Sequence, residues 1–288
     1  MKVVECCPFF NENLVAEIKI AEARTWVDEL HITECNKSFR FGDKPYSFRF
    51  ADDPLVHYRQ LDGNTAFIKP DWVLSCSPWF IKKQNHAWEN DGIQRNIACS
   101  YIDVDDRDIV ILSDLDEIID SRYADRIIHE TQKRGIVTIK LHFTLFYFNL
   151  FSKNWGGPPS YSYRTFIMTG RYFKSMFITS DRLRKKGEHG KLFSTVHCLE
   201  DTVGFHHSWL GDDRYVAEKL KSYAHDAGDH DSRVFSADGS VNMDYVRECI
   251  EQKRSVFGPE HELYVNNDIN LLESVEKCKL NSNSKYFI

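Results

Sequence analysis

The chain has 288 residues, of which 42% are hydrophobic and 28% charged, and its formal net charge is −6. This length and composition allow a large core without disulfides and exclude collagen-like, disordered and small disulfide-rich classes. The acidic balance argues against a nucleic-acid-binding surface, which would carry a basic patch.

Cysteine spacing and hydropathy indicate the compartment. The 8 cysteines include no Cys-x-x-Cys pair and no zinc-site spacing, which is typical of buried thiols in a reducing environment. The N-terminus reads as a strand rather than a secretory leader, and no apolar run reaches the ~18 residues of a membrane span. We therefore expect a cytoplasmic protein without a membrane-spanning segment.

Hydrophobic periodicity predicts an α/β fold that opens with a β-α-β unit. The predicted elements, in chain order, are a strand over 2–7, a helix over 13–28, a strand over 30–34, loops and short strands over 36–70, a helix over 79–99, a strand over 108–113, a helix over 118–131, a β-rich stretch over 135–148, short strands and loops over 153–205, and helices over 213–227 and 243–254. The opening unit implies parallel strands in an open sheet.

Three acids follow the predicted strand over 108–113, in the run Ser113-Asp114-Leu115-Asp116-Glu117. Ligands of open α/β sheets bind beyond the carboxyl ends of the strands, and residues two apart in an extended segment face the same side. Asp114 and Asp116 are therefore candidates for holding Mg²⁺ or Mn²⁺ against a diphosphate. The alternative is a helix N-terminus enriched in acids.

Other polar clusters have weaker signals. His206, in the run 204–211, could complete a metal shell, although a core histidine beside Trp209 is the simpler interpretation. Arg95 could contact a phosphate or hold an acid, or could lie on a solvated helix face. The basic run over 182–186 is typical of a solvated loop, with a lid over an anionic donor as the alternative.

Four sets of segments, all within residues 1–230, carry a joint pattern. They are Pro8–Glu12 with the later Glu34, Trp88–Glu89 with Gln94–Arg95, Ser113–Ile118, and Gly204–His206 with Ser208–Trp209. In order and spacing they resemble glycosyltransferase family 17, the family of the bisecting β-1,4-N-acetylglucosaminyltransferase, and its short microbial or viral members in particular.

The resemblance implies a single GT-A type domain over 1–288, with a mostly parallel mixed sheet flanked by helices. Residues 1–118 would form the nucleotide-sugar half, 119–230 the acceptor half and 231–288 a helical C-terminal extension. The implied partners are a UDP-sugar donor (GlcNAc by family expectation, with xylose or a hexose open) and a glycan or glycoprotein acceptor, such as an N-glycan. The oligomeric state stays open.

The resemblance also implies roles for individual residues. Asp116 would hold Mn²⁺ or Mg²⁺, with Asp114 near the ribose or the metal and His206 as a third ligand. Glu34 would lie near the nucleotide, and Arg95 or Lys219 would stabilise the departing UDP. Transfer with inversion needs a carboxylate that accepts the hydroxyl proton. The candidates for that base are Asp213, Asp212 and Glu188, which fall in the acceptor half.

Two other functions remain open at the level of sequence. A haloacid-dehalogenase-like phosphatase also places Asp-x-Asp after a hydrophobic strand, with the first aspartate as nucleophile. Here Glu117-Ile118-Ile119 follows the motif, where a phosphatase of that kind has Gly and then Thr or Val. The second alternative is a non-catalytic protein that binds a sugar or a nucleotide.

Overall fold

The computed structural model describes residues 1–69, 86–153, 161–188, 196–224, 230–280 and 284–288. The strands are β1 (Val3–Phe9), β2 (Glu29–Cys35), β3 (Val56–Leu61), β4 (Ile109–Leu112), β5 (Glu117–Ile119), β6 (Ile136–Leu145), β7 (Leu150–Ser152), β8 (Tyr161–Ser162), β9 (Phe166–Thr169), β10 (His197–Ser208) and β11 (Leu263–Val265). The α-helices are α1 (Asn13–Ala23), α2 (Gly63–Ala66), α3 (His86–Cys99), α4 (Ala124–Arg134), α5 (Gly170–Ser175), α6 (Ser180–Glu188), α7 (Asp213–Ser222), α8 (Met243–Glu251) and α9 (Glu273–Leu280).

These strands form one mixed sheet in the order β11-β7-β6-β9-β4-β1-β2-β3, with β8 and β10 paired to β6 and β5 paired to β10. The half from β4 to β3 is parallel, whereas β9 runs antiparallel to both β4 and β6. Helices cover the sheet, so the predicted α/β fold with a mixed sheet is confirmed.

The central strands are buried on both faces, which explains their nearly continuous apolar sequences. In β4, Ile109 and Ile111 face one core while Val110 and Leu112 face the other, as a period of two requires. Helices α1 and α4 close the first core and helices α3 and α6 close the second. Their buried contacts are Ala16 and Ile20 of α1, Ile127 of α4, Ala98 of α3 and Leu183 of α6.

Several predicted elements differ from those observed. The helix predicted from Ile118 begins only at Ala124, because Ile118 and Ile119 pair antiparallel with β10 as strand β5. The region 153–205, predicted as strands and loops, also contains helices α5 and α6. Within 231–288, predicted to be helical, β11 extends the sheet at β7. The predicted helix over 79–99 is observed from His86, and its earlier part lies outside the described residues.

A close approach between β5 and β10 explains a glycine of the 204–211 run. A Cβ atom at Gly204 would lie 2.2 Å from the backbone oxygen of Ile118. Only glycine therefore lets β10 pair with β5 here and continue to His206. In the described ranges, no helix has both the length and the apolar character needed to cross a membrane.

Candidate functional site

A cleft opens beyond the carboxyl ends of β1 and β4. This is the position where open α/β sheets bind ligands, between strands whose connections diverge. The side chains that line it come from several separate elements of the fold. They are Pro8 and Phe9 at the end of β1, with Phe10 and Glu12 after it; Trp88, Asp91 and Arg95 on α3; Asp114, Leu115 and Asp116 after β4; His206, Ser208 and Trp209 on or after β10; Lys219, Ser222 and Tyr223 on or after α7; and Phe39, Phe143, Arg164 and Phe257.

Asp114 is held by two arginines. Arg95 donates Nε to Oδ1 at 2.8 Å and Nη2 to Oδ2 at 3.2 Å, and Arg184 donates Nη2 to Oδ2 at 2.6 Å. Burial raises the pKa of Asp114, but the charges of Arg184 and Arg95 outweigh it and hold that pKa far below its usual value. Both carboxylate oxygens are thus engaged, and Asp114 orients the site rather than offering a free ligand atom.

Arg184 also binds Glu117, a carboxylate with no exposed surface. Its Nη1 lies 2.8 Å from Oε2 and its Nη2 2.9 Å from Oε1, and Thr165 donates its hydroxyl to Oε2 at 2.8 Å. A buried carboxylate is stable only when it is paired and hydrogen-bonded in this way. Arg184 therefore joins the first and third acids of the Asp-x-Asp-Glu run.

The expectation that the basic run is a solvated loop was wrong for Arg184. The run lies on α6, where Arg184 is buried, and Arg182 and Lys186 are exposed. Helix α6 can approach α3 closely because residue 92 is glycine. A Cβ atom at Gly92 would lie only 2.8 Å from the Asp181 carboxyl. The only hint in the sequence is Leu183, an apolar residue that is out of place in a solvated loop.

A lysine in the core fixes the backbone of the acidic turn. Lys19 of α1, 1% exposed, forms an ion pair with Glu5 at 2.7 Å. Its Nζ also donates to the carbonyls of Asp114 at 3.2 Å and Glu117 at 2.7 Å and to the Ser113 hydroxyl at 3.1 Å. Burial lowers the pKa of Lys19, but Glu5 and its other neighbours hold it above the usual value. The turn is therefore anchored by a charged group that does not reach the cleft.

Asp116 has a different environment from Asp114. His206 Nε2 lies 3.3 Å from Oδ1 and Lys219 Nζ 3.6 Å from Oδ2, while Lys219 is also 3.3 Å from Glu12. Burial raises the pKa of Asp116, yet the charges of His206 and Lys219 hold it well below its usual value. Asp116 is thus an ionised carboxylate on the wall of the cleft, and its contacts with His206 and Lys219 are long.

Asp116 and His206 suit a divalent cation. Two ligand atoms bound at right angles to one ion, at ~2.1 Å each, stand ~3 Å apart, which is close to the 3.3 Å observed. His206 Nδ1 is buried and has no hydrogen-bond partner among the described residues. A carboxylate with an imidazole fits Mn²⁺ better than Mg²⁺, which prefers an all-oxygen shell.

The aromatic wall of the cleft includes a strained backbone position. Trp209, directly after β10, adopts a φ of 58°, which is a rare conformation for a bulky residue. Its ring packs edge-on against Tyr223 at 5.6 Å and Phe257 at 5.5 Å, and Lys219 Nζ lies 5.5 Å from its centre. The bend at Trp209 turns the chain into α7 and brings Lys219 back to the cleft.

The structure therefore brings Asp114, Asp116, Arg95, His206 and Lys219 into one cleft, as their candidate roles require. Glu34, expected near the nucleotide, has no exposed surface and is not part of the cleft lining. It accepts hydrogen bonds from Lys44, the Ser47 amide and hydroxyl, the Phe48 amide and Tyr58. These bonds give Glu34 a structural role in the segment after β2.

Two of the three candidate bases, Asp212 and Asp213, lie outside the cleft. Asp212 caps α7 by accepting the Tyr215 amide at 2.9 Å, and Asp213 pairs with Arg247 at 3.0 Å. Both line a separate depression beside Tyr147 and not the cleft. Glu188 ends α6, and its side chain lies outside the described residues.

No protein-family model matches the chain, and no curated protein matches it. Among solved structures, the chain is similar to residues 1–349 of TarS from S. aureus, with 14% sequence identity and a TM-score of 0.37. The match covers 76% of this chain and 71% of the TarS chain. At this level of likeness the comparison assigns neither a family nor an activity.

Proposed function

We propose that the chain is a divalent-cation-dependent inverting glycosyltransferase of the GT-A type, similar to family 17. It would transfer a sugar from a UDP-sugar, GlcNAc by family expectation, to a hydroxyl of a glycan. The observation that carries the proposal is the convergence of Asp116, His206 and Lys219 at the carboxyl ends of the parallel strands. These residues are distant in sequence and fit a cation and a diphosphate together.

In this proposal Asp116 and His206 hold Mn²⁺, which when bound neutralises charge that develops on the diphosphate. Lys219 adds a second positive charge on the same wall. Burial lowers the pKa of Lys219, but Tyr215, Glu12 and Asp116 outweigh burial and keep that pKa well above its usual value. A cation fixed before the reaction stabilises the departing UDP without reorganisation. Arg95 acts through Asp114, which it holds in place, rather than through the phosphate.

The hydroxyl proton needs a carboxylate in the cleft, and Asp212 and Asp213 are outside it. Among the described lining residues, Asp91 is the carboxylate whose pKa is raised, to about 6, chiefly by burial. Such a value suits a general base near neutral pH, and we assign that role to Asp91. Its pairing with Arg95 Nη1 at 2.6 Å fixes its orientation.

The geometry disfavours the phosphatase alternative. Its mechanism needs the first aspartate of the motif as a nucleophile with a free oxygen. Here that residue is Asp114, and both of its oxygens accept hydrogen bonds from Arg95 and Arg184. No contact among the described residues favours the other alternative, a protein that binds a sugar nucleotide without turnover.

The first experiment is release of UDP from a panel of UDP- and GDP-sugars with Mn²⁺, Mg²⁺ or EDTA. We expect release from one UDP-sugar with Mn²⁺, abolished by EDTA and by Asp116→Asn in a variant that melts like the wild type. Asp213→Asn is the matched control, because this carboxylate pairs with Arg247 outside the cleft, and it should retain turnover.

Two results would contradict the proposal. One is calorimetry that detects no UDP binding in the presence of Mn²⁺. The other is metal-dependent turnover that persists in Asp116→Asn. Binding of UDP without release from any donor, even with glycan acceptors added, would instead indicate the non-catalytic alternative.

A further inference from the structure

A second cluster of metal-binding residue types lies at the opposite end of the parallel strands. Glu29 and His31 are two residues apart on β2 and therefore share a face of the sheet. His57 on β3 is the parallel partner of His31 in the register between the two strands. All three are at the amino ends of their strands, whereas the cleft lies beyond the carboxyl ends.

The side chains of this cluster already converge. The rings of His31 and His57 are stacked with centroids 4.6 Å apart and planes 7° apart, and His31 Nε2 lies 3.0 Å from Glu29 Oε2. One ligand atom from each of the three residues lies within 4.8 Å of the other two. Tetrahedral Zn²⁺ with bonds of ~2.1 Å needs its ligand atoms ~3.4 Å apart, so small rotations of the side chains complete the set.

The exposure of the cluster also fits a cation site. His57 is exposed, while Glu29 and His31 are half-buried, so an ion can enter and keep a water molecule as a further ligand. Lys2 binds the other carboxylate oxygen of Glu29, Oε1, at 2.8 Å. An ion on Oε2 would therefore replace only the Glu29–His31 hydrogen bond and leave the Lys2 contact in place.

We propose that Glu29, His31 and His57 form a binding site for Zn²⁺ or a similar transition-metal ion, separate from the cleft. Two imidazoles and one carboxylate are a common zinc-ligand set, and they are poor ligands for Mg²⁺ or Ca²⁺. Because β3 ends the described strand order, the ion would link this edge strand to β2 and stabilise the pairing. The site does not depend on the proposed transferase activity.

The test uses the full chain after removal of metal with a chelator. Zn²⁺ is titrated by calorimetry, and Co²⁺ is added as a probe whose visible absorption reports the ligand geometry. We expect one or more equivalents of Zn²⁺ that raise the melting temperature, and His57→Ala should weaken the binding of one equivalent at least ten-fold. His129→Ala, which removes another exposed histidine on α4, is the matched control and should bind Zn²⁺ like the wild type.

Asp116→Ala separates this site from the cleft. The equivalent of Zn²⁺ whose binding His57→Ala weakens should bind to Asp116→Ala with wild-type affinity, whatever metal the cleft binds. Equal Zn²⁺ binding by His57→Ala and His129→Ala would overturn the proposal, as would the absence of bound Zn²⁺ in the wild type. Glu29→Gln, which keeps the side-chain shape, should reproduce the loss if the carboxylate is a ligand.

Discussion

Acidification should destabilise the fold through one buried histidine, His207. The residue is 1% exposed, its ring stacks on Phe205 with planes 9° apart, and its Nδ1 shares a hydrogen bond of 2.7 Å with the Thr144 hydroxyl. Burial, assisted by the neighbouring His206, lowers the pKa of His207 to about 3 from its ordinary value of 6.5. The folded chain therefore keeps this ring neutral at pH 5, whereas the unfolded chain protonates it.

The sign and size follow from that difference in pKa. The stability that the neutral His207 ring contributes to the fold is fully present above pH 6.5 and is lost progressively as the pH falls from 6.5 towards 3. At pH 5, protonation of His207 in the unfolded chain lowers the free energy of unfolding by about 2 kcal/mol, because each pH unit below 6.5 contributes ~1.4 kcal/mol. Asp91, whose pKa is raised to about 6, acts in the opposite direction, so the pH dependence of the wild type alone is not diagnostic.

The assay is therefore a comparison of variants by urea unfolding at pH 7 and pH 5. His207→Phe keeps a flat ring among the aromatic neighbours and loses only the Thr144 bond, a cost that does not change with pH. Its free energy of unfolding should fall by about 2 kcal/mol less than that of the wild type between the two pH values. His129→Gln, at an exposed position on α4, should behave like the wild type. Equal pH dependence in His207→Phe and the wild type would refute the reasoning, and His207→Gln provides a second test.

Three further outcomes are expected. Gly204→Ala should lower the free energy of unfolding by about 3 kcal/mol in urea titrations, because the new Cβ would lie 2.2 Å from the Ile118 carbonyl oxygen. A loss below ~0.5 kcal/mol would contradict the close approach of β5 and β10. Arg184→Met should cost about 3–5 kcal/mol by leaving the Glu117 carboxylate buried and unpaired, and adding Glu117→Gln should recover part of the loss. If the double variant is less stable than Arg184→Met, the charge is not the cause. Lys219→Met should strengthen Mn²⁺ binding several-fold in calorimetry, because Lys219 Nζ lies 3.6 Å from Asp116, and should slow sugar transfer. Weaker Mn²⁺ binding in that variant would place the cation elsewhere.

Local patterns predicted the parts of the fold that depend on local structure. The apolar runs of β1 and β4 and the residues that follow them are encoded within short segments, so the β-α-β opening and the acids after β4 could be located. Strand β5 was mistaken for a helix because its three residues are too few to show a period. Its identity depends on pairing with β10, almost ninety residues later.

The candidate site was predictable only where the type of a residue and its place in the local sequence indicate its chemical role. Asp116 and His206 stand beside strand ends and could be inferred, whereas Arg184 could not, because a basic helix looks solvated until its buried partners are known. Glu34 shows the converse error. The family resemblance suggested a contact with the nucleotide. Glu34 instead lies on β2, and five donors from the following segment and β3 occupy both of its oxygens.

Lys19, the core lysine behind the acidic turn, makes the backbone path of the turn independent of cation binding by Asp116. Because Lys19 holds main-chain carbonyls, the path of the turn is specified without any help from the Asp116 side chain. Replacing that carboxylate should therefore abolish cation binding in a protein whose turn keeps its shape. Chemistry at this position could change by single substitutions while the scaffold persists, which makes the turn a suitable place to engineer a different metal preference.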